Sequence, residues 1–284
     1  MSTPGYPIPV TEGTIRANGL DIWYVEAGQG PPLLLLHGGG VSNGPLWASH
    51  EWGWGAQFGL FAPHFRIIAP DLRGHGRTAN PGDTLGYPLY AEDMLAFTRA
   101  LGLARPFVCG FSDGGAAAAL MGMLAPEVPR AVVNLAGFDM FSPDPNYPSR
   151  VQVRQQLGGS PDATRTDYAL MVSRSPTSRM RQRRVEDYET TQGPGALQRY
   201  FEQVFPVWTA PMAYTTEDFA RIAAPALFLV GDRDEFCPVE MSAAAFRALP
   251  RGEFGVLPHT HHTITAPACA LILDFLLRHR DATG

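Results

Sequence analysis

The sequence predicts an α/β domain built on a mostly parallel sheet, and three observations carry that prediction. Apolar segments of strand length alternate with segments of helical spacing along most of the chain. One of the strand segments, Leu33-Leu34-Leu35-Leu36, is apolar at every position, as a strand covered on both faces must be. One strand-to-helix junction reads Gly110-Phe111-Ser112-Asp113-Gly114, a sharp turn of a kind that open α/β sheets use to present a side chain.

Taken in order, the chain opens with a hairpin. Segments 14–17 and 20–25 flank Asn18-Gly19, a pair suited to the positive φ angles of a type I′ turn. Gly28 to Pro32 turns the chain again, and the leucine run leads into His37-Gly38-Gly39-Gly40. Residues 66–69 form a short buried strand ending at Pro70-Asp71. Residues 90–101 form a helix closed by Gly102, with Leu95, Phe97 and Leu101 at helical spacing. A strand at 107–109, an alanine-rich helix at 116–124 and a strand at 131–135 follow. Alternation then stops from 139 to 219, a stretch richer in Arg, Gln, Ser and Pro. It resumes with a strand at 226–230, a helix at 241–249, a strand at 253–257 and a helix at 267–279. Segment 139–219 is therefore an insertion between two strands, at the sheet end where loops carry function.

The chain has 284 residues, 45% hydrophobic and 17% charged, which is ample material for a core. Its net charge of −5 argues against binding nucleic acid through its phosphates. All 22 basic residues are arginine, so a Schiff-base lysine and a P-loop lysine are both excluded. Cys109, Cys237 and Cys269 are too few and too scattered for a disulfide framework and read as buried thiols. No apolar run approaches the length of a membrane span, and the opening residues have neither a basic start nor an apolar stretch. A cytoplasmic protein without membrane or nucleic-acid partners is expected.

Ser112 is the candidate nucleophile. A serine hydroxyl needs a base, and His259, His261 and His262 lie in a loop after the last strand. The base needs a carboxylate to hold its tautomer, and Gly231-Asp232-Arg233-Asp234 follows the strand at 226–230. The order Ser112, Asp234, His262 is the one this sheet topology uses. Asp232 and Asp139 are the other carboxylates at strand ends. Three histidines so close raise the question of a metal, but no paired ligand spacing accompanies them, so no metal and no cofactor are expected. The run 179–184, with Arg183 set against Asp187, reads as a solvated helix face; an anion site is the alternative.

These motifs together resemble the α/β-hydrolase fold over nearly the whole chain: His37-Gly38-Gly39, Asp71-Leu72-Arg73-Gly74-His75-Gly76, Gly110 to Gly115, Gly231 to Asp234 and the terminal histidine loop. The Ser112-Asp113-Gly114-Gly115 string is similar to the biphenyl-hydrolase-like and valacyclovir-hydrolase-like branch. The resemblance implies an eight-stranded, mostly parallel sheet with helices on both faces and a helical lid inserted after the sixth strand. The core would then be 1–138 and 220–284, and the lid 139–219. It also implies Ser112, Asp234 and His262 as the triad. The family frame Pro-x-x-Gly-His, laid on Pro258, places the base at His262 and puts His261 where the family has glycine. The oxyanion hole would be the backbone N–H of Asp113 with that of Gly39, or of Gly40. The Asp71 to Gly76 turn would be structural.

A small-molecule substrate is expected, and the leading activity is hydrolysis of carboxylic esters or lactones of small, largely apolar substrates through a Ser112 ester. The alternatives are cofactor-free C–C bond hydrolysis or lyase chemistry, and a binding protein with little turnover. Asp113 either stabilises a helix start or pairs with a substrate ammonium. Trp208, with Tyr168, Met171, Met180, Tyr188, Tyr200, Phe201, Phe205 and Met212, could roof the pocket from the insertion, and Trp47, Trp52 and Trp54 either wall the pocket or simply pack. Oligomeric state is not readable from the sequence.

Overall fold

A computed structural model describes residues 5–137, 143–174, 178–212 and 214–280. Eight strands among the described residues form one sheet: β1 Thr11–Ala17, β2 Leu20–Ala27, β3 Pro32–Leu36, β4 Arg66–Pro70, β5 Phe107–Phe111, β6 Ala131–Leu135, β7 Ala226–Gly231 and β8 Gly252–Leu257. Their order across the sheet is β1-β2-β4-β3-β5-β6-β7-β8. β2 runs antiparallel to β1 and β4, and every later pairing is parallel. The opening hairpin turns at Asn18 and Gly19 with φ of 46° and 75°, the left-handed pair that its sequence predicts.

The sheet is covered on both sides, and the leucine run shows why it could be continuous. Leu34 and Leu36 pack with Val108, Val132 and Phe228 under α2 (Tyr87–Ala100), α3 (Asp113–Leu124) and α8 (Val239–Ala248). Leu33 and Leu35 point the other way, with Cys109, Val133 and Leu229, under α1 (Phe58–Phe61) and α9 (Ala266–Arg278). Helix α3 is buried on all sides, which is why its four consecutive alanines show no polar face.

Helix boundaries differ from the sequence expectation by one to three residues. α2 starts at Tyr87 because Pro88 is accommodated in the first turn. α3 starts at Asp113, immediately after the serine, so the glycine pair that looks like a loop is already helical.

Between β6 and β7 lie α4 (Pro148–Gly158), α5 (Tyr168–Arg174), α6 (Arg179–Gln192) and α7 (Ala196–Thr209). Val153, Leu157, Tyr188, Leu197, Phe201 and Val204 join the core of the α2–α3 face rather than forming a separate one. The run 179–184 is not a simple solvated face. Arg183 donates to the Leu46 carbonyl and lies over Trp47, while Asp187 is buried and accepts from the Trp47 indole at 3.0 Å. The expected Arg183–Asp187 pair gives way to these longer-range contacts. No helix among the described residues is long and apolar enough to cross a membrane.

Candidate active site

Ser112 stands at the junction of β5 and α3 with φ 54° and ψ −121°. A non-glycine residue in such backbone costs on the order of 1–3 kcal/mol, held here by the close approach of strand and helix. A Cβ on Gly110 would overlap the Gly114 carbonyl, and one on Gly114 would overlap the Leu36 and His37 carbonyls. The two glycines of the motif are therefore required by space, and the result is a serine side chain above the C-terminal ends of the strands.

The structure brings the three expected residues together. His262 Nε2 lies 2.9 Å from Ser112 Oγ, and His262 Nδ1 lies 2.9 and 3.0 Å from the two oxygens of Asp234. A carboxylate can only accept, so Nδ1 carries the proton and Nε2 faces the hydroxyl as the acceptor. Asp234 is held in turn by the backbone N–H groups of Phe236 and Cys237, at 2.9 and 2.8 Å. Asp232 instead accepts from the Thr260 N–H at 3.1 Å and ties the histidine loop to the end of β7. Gly231 permits that approach, because a Cβ there would overlap the Thr260 carbonyl. Asp139, the remaining carboxylate considered at a strand end, lies outside the described residues. The three histidines of the loop take three different partners: His259 meets Arg233, exposed His261 is 3.6 Å from Glu235, and His262 meets Asp234.

The loop after β3 is braced from behind. His37 accepts the Leu72 N–H on Nε2 at 2.9 Å and contacts the Gly38 carbonyl through Nδ1 at 2.8 Å. Burial pulls its pKa down to about 4, so the ring is neutral. Asp71 accepts from the Asn43 and Arg77 N–H groups, and Arg73 pairs with Asp93 through two bonds of 2.8 and 2.7 Å. These groups are engaged in holding loops, not turned toward the serine. Gly39 lines the cavity beside Ser112, as does Asp113, whose N–H opens α3 and so has no intrahelical acceptor. Gly40 turns with φ 67° and gives its carbonyl to Arg184.

Above the serine is a cavity of about 240 Å³ walled by Trp52, Val153, Leu157, Met171, Phe201 and Phe236, with Gln156, Arg184 and Trp208. Of the insertion side chains singled out in the sequence, Met171, Phe201 and Trp208 line it. Tyr188, Tyr200 and Phe205 are buried in the core, and Met212 lies elsewhere. The tryptophans of the 47–54 loop divide: Trp52 lines the cavity, whereas Trp47 and Trp54 are fully buried. The Asp113 carboxylate is only 1% exposed and accepts from Tyr87 Oη at 3.1 Å and from Trp208 Nε1 at 3.0 and 3.1 Å. A substrate ammonium would have to displace those donors. Burial pushes its pKa up to about 6, against the lowering effect of the two hydrogen bonds.

Val153, Gln156, Leu157, Phe236 and Arg184 line the cavity without having been singled out in the sequence, and Arg184 is the charged one among them. Its Nε donates to the Gly40 carbonyl at 2.9 Å, its guanidinium lies over Trp52 and Phe201, and it lines the cavity. No carboxylate pairs with it among the described residues, and burial lowers its pKa from the ordinary arginine value. The available signal was its position one turn of α6 before Asp187 and Tyr188, the two buried residues of that helix, hidden within a run of charges.

The alpha/beta hydrolase family model matches residues 33–270. The chain belongs to that family. Its curated relatives include the 2-hydroxy-6-oxo-6-(2'-aminophenyl)hexa-2,4-dienoic acid hydrolase of Metapseudomonas resinovorans, 26% identical over 96% of this chain and 93% of that protein. They also include a non-heme haloperoxidase of Rhodococcus erythropolis, 26% identical over 87% of this chain and 90% of that protein. Among solved structures, a serine hydrolase involved in carbazole degradation superposes with a TM-score of 0.71 at 21% identity, covering 95% of this chain and 99% of that one. The carboxylesterase CesB of Bacillus subtilis superposes with a TM-score of 0.72 at 18% identity, covering 95% and 93%. The family and the fold agree with the resemblance drawn from the motifs.

Proposed function

We propose that this member of the family is a serine hydrolase that cleaves carboxylic esters or lactones of small, largely apolar substrates through a Ser112 acyl-enzyme. The observation that carries the proposal is the continuous path Ser112–His262–Asp234, which opens into a mainly apolar cavity. Ser112 Oγ attacks the carbonyl carbon while its proton passes to His262 Nε2. Asp234 stabilises the imidazolium, and the N–H groups of Gly39 and Asp113 receive the negative charge on the carbonyl oxygen. The imidazolium then protonates the leaving alkoxide, and water repeats the sequence to release the acid. No cofactor takes part. Residues 139–219 act as the lid, since their helices supply one wall of the cavity. The three buried cysteines suit a reducing cytoplasm.

Arg184 favours a second reading within the same chemistry: a substrate that carries a carboxylate. A guanidinium that lines an apolar cavity is stabilised by an anion brought in by the ligand. The dienoic acid hydrolase named above acts, by its name, on such an acid, which keeps C–C bond hydrolysis open beside ester hydrolysis. A binding role without turnover has no support from the aligned hydroxyl–imidazole–carboxylate path.

The test is a screen of matched neutral and carboxylate-bearing esters, lactones and vinylogous diketone acids, with a fluorophosphonate adduct located by mass spectrometry. The adduct is expected on Ser112, and labelling that persists in Ser112→Ala would sink the assignment. Arg184→Gln is expected to raise KM for the carboxylate-bearing member of each pair about 10- to 100-fold, the worth of a charge-assisted hydrogen bond of about 1.5–3 kcal/mol. An equal effect on neutral esters removes the anionic reading and leaves the ester hydrolase standing.

A further inference from the structure

The mechanism uses the Asp113 N–H and leaves its carboxylate without a task. A carboxylate this deeply buried is costly, and an apolar side chain would fill the space at less expense of free energy. What the carboxylate holds is Trp208. The indole N–H divides between both Asp113 oxygens, and Tyr87 at the start of α2 donates to Oδ1 of the same group. The indole then stands against the loop after β3: a Cβ on Gly39 would come 2.5 Å from Trp208 Cζ2 and would overlap Asp113 Oδ2. The rings of Tyr200 and Phe201 back the indole, with centroids 6.2 and 6.4 Å away.

Members of this cluster line two spaces. Asp113 and Trp208 line the catalytic cavity of about 240 Å³. Tyr87 and Val207, with Leu85, Pro88 and Met212, line a distinct groove of about 280 Å³, apolar in its lining. Sequence neighbours Val207 and Trp208 thus face different spaces, and so do the hydrogen-bonded partners Tyr87 and Asp113.

We propose that Trp208, fixed by Asp113 and Tyr87, is the partition that limits how long a hydrocarbon chain the cavity accepts, and that removing the indole joins the cavity to the groove. Asp113 is a positioning residue in this scheme: it acts through the indole, not on the substrate. The inference rests on the serine-hydrolase reading, because it concerns the group attached to the carbon or phosphorus that Ser112 attacks. A single methylene gained or lost in an apolar pocket changes a rate about 10- to 200-fold, so a change in usable length is easily read.

The experiment measures second-order rates of Ser112 labelling by straight-chain alkyl fluorophosphonates from methyl to decyl, followed by intact mass. The wild type is expected to react progressively more slowly once the chain exceeds the cavity. In Trp208→Ala the decyl-to-butyl rate ratio is expected to rise at least about tenfold. Trp208→Phe keeps a ring in place and retains the wild-type fall-off. Adding Val207→Trp to Trp208→Ala refills the groove and restores the short-chain preference. Trp208→Leu opens the same passage with a smaller packing loss and serves if the alanine variant does not fold. Labelling of both open variants with an unchanged length profile overturns the partition alone. Absence of labelling at every length in the wild type overturns the serine reading, and the partition with it.

Discussion

The cavity has two walls that are held by different physics. Ser112, Asp234 and His262 stand on short connections after β5, β7 and β8. Their positions follow from backbone: a positive φ at Ser112, close contacts at Gly110, Gly114 and Gly231, and two N–H groups on Asp234. The facing wall stands on helices of the insertion and is held by side chains that reach far along the sequence. Trp208 meets Asp113 across 95 residues, Trp47 meets Asp187 across 140, and Arg184 meets Gly40 across 144. A wall set by backbone permits one geometry for chemistry. A wall set by side-chain pairs can be rebuilt by single substitutions.

The largest break should come from the backbone-set wall. Ser112→Ala is expected to lower kcat by about 10⁴- to 10⁶-fold, because loss of the nucleophile disables a group that acts as a unit. Alanine has the same Cβ in the same φ region, so the urea unfolding midpoint should barely move. Turnover within a hundredfold of wild type would mean that another group attacks.

Asp234→Asn comes next, at about 10⁴-fold in kcat, through the wrong imidazole tautomer and an unstabilised imidazolium. Asp232→Asn should cost far less, since Asp232 accepts from backbone N–H groups of the histidine loop, Thr260 among them, and not from the imidazole. Asp139→Asn is the second control. If it is the more damaging substitution, the acid of the triad sits after β6 and not after β7.

This division also decides what the sequence reveals. The strand segments, the serine turn, the candidate acid and the histidine loop are carried by local patterns: apolar runs, glycine spacing and chain order. The leucine run could be assigned to a strand because both of its faces meet helices, a property written in four adjacent residues. Arg184 had no such mark. Its role depends on which face of α6 meets the sheet domain, and on the absence of an acidic partner that local pairing had assigned to the neighbouring Arg183. Trp208 could be named among the insertion aromatics but not told apart from Tyr200 or Phe205, which are buried in the core eight and three residues before it. Helix starts at Tyr87 and Asp113 were blurred for a smaller reason, since proline and glycine in a first turn read as loop.

Asp113 belongs to both walls, and its ionisation should be visible in stability. Burial raises its folded pKa to about 6 from an ordinary value of 3.8. The folded carboxyl therefore keeps its proton to higher pH than the unfolded one. Folding takes up a proton between about pH 4 and pH 6, so the stabilising contribution is complete below the unfolded value and is lost as pH rises through about 6. Asp113→Asn removes that titration. The unfolding free energy of wild type relative to this variant should fall by on the order of 2–3 kcal/mol from pH 4 to pH 8. Parallel stability curves would show that the carboxyl remains ionised across the range and that Tyr87 and Trp208 outweigh its burial.

The smallest effect is expected at His261, and it sharpens the backbone-set wall. Pro258, His261 and His262 stand where the family frame has proline, glycine and the catalytic histidine, so His261 competes with His262 for the role of base. In the structure His261 is exposed, 3.6 Å from exposed Glu235, while His262 is 6% exposed between Ser112 and Asp234. His261→Gly removes a surface side chain and its weak pairing, a change worth within about 0.5 kcal/mol. Activity should stay within about threefold of wild type, whereas His262→Ala should approach the loss seen for Ser112→Ala. A collapse of turnover in His261→Gly with an unchanged unfolding midpoint would show that the loop rearranges in solution and presents the other ring to the serine.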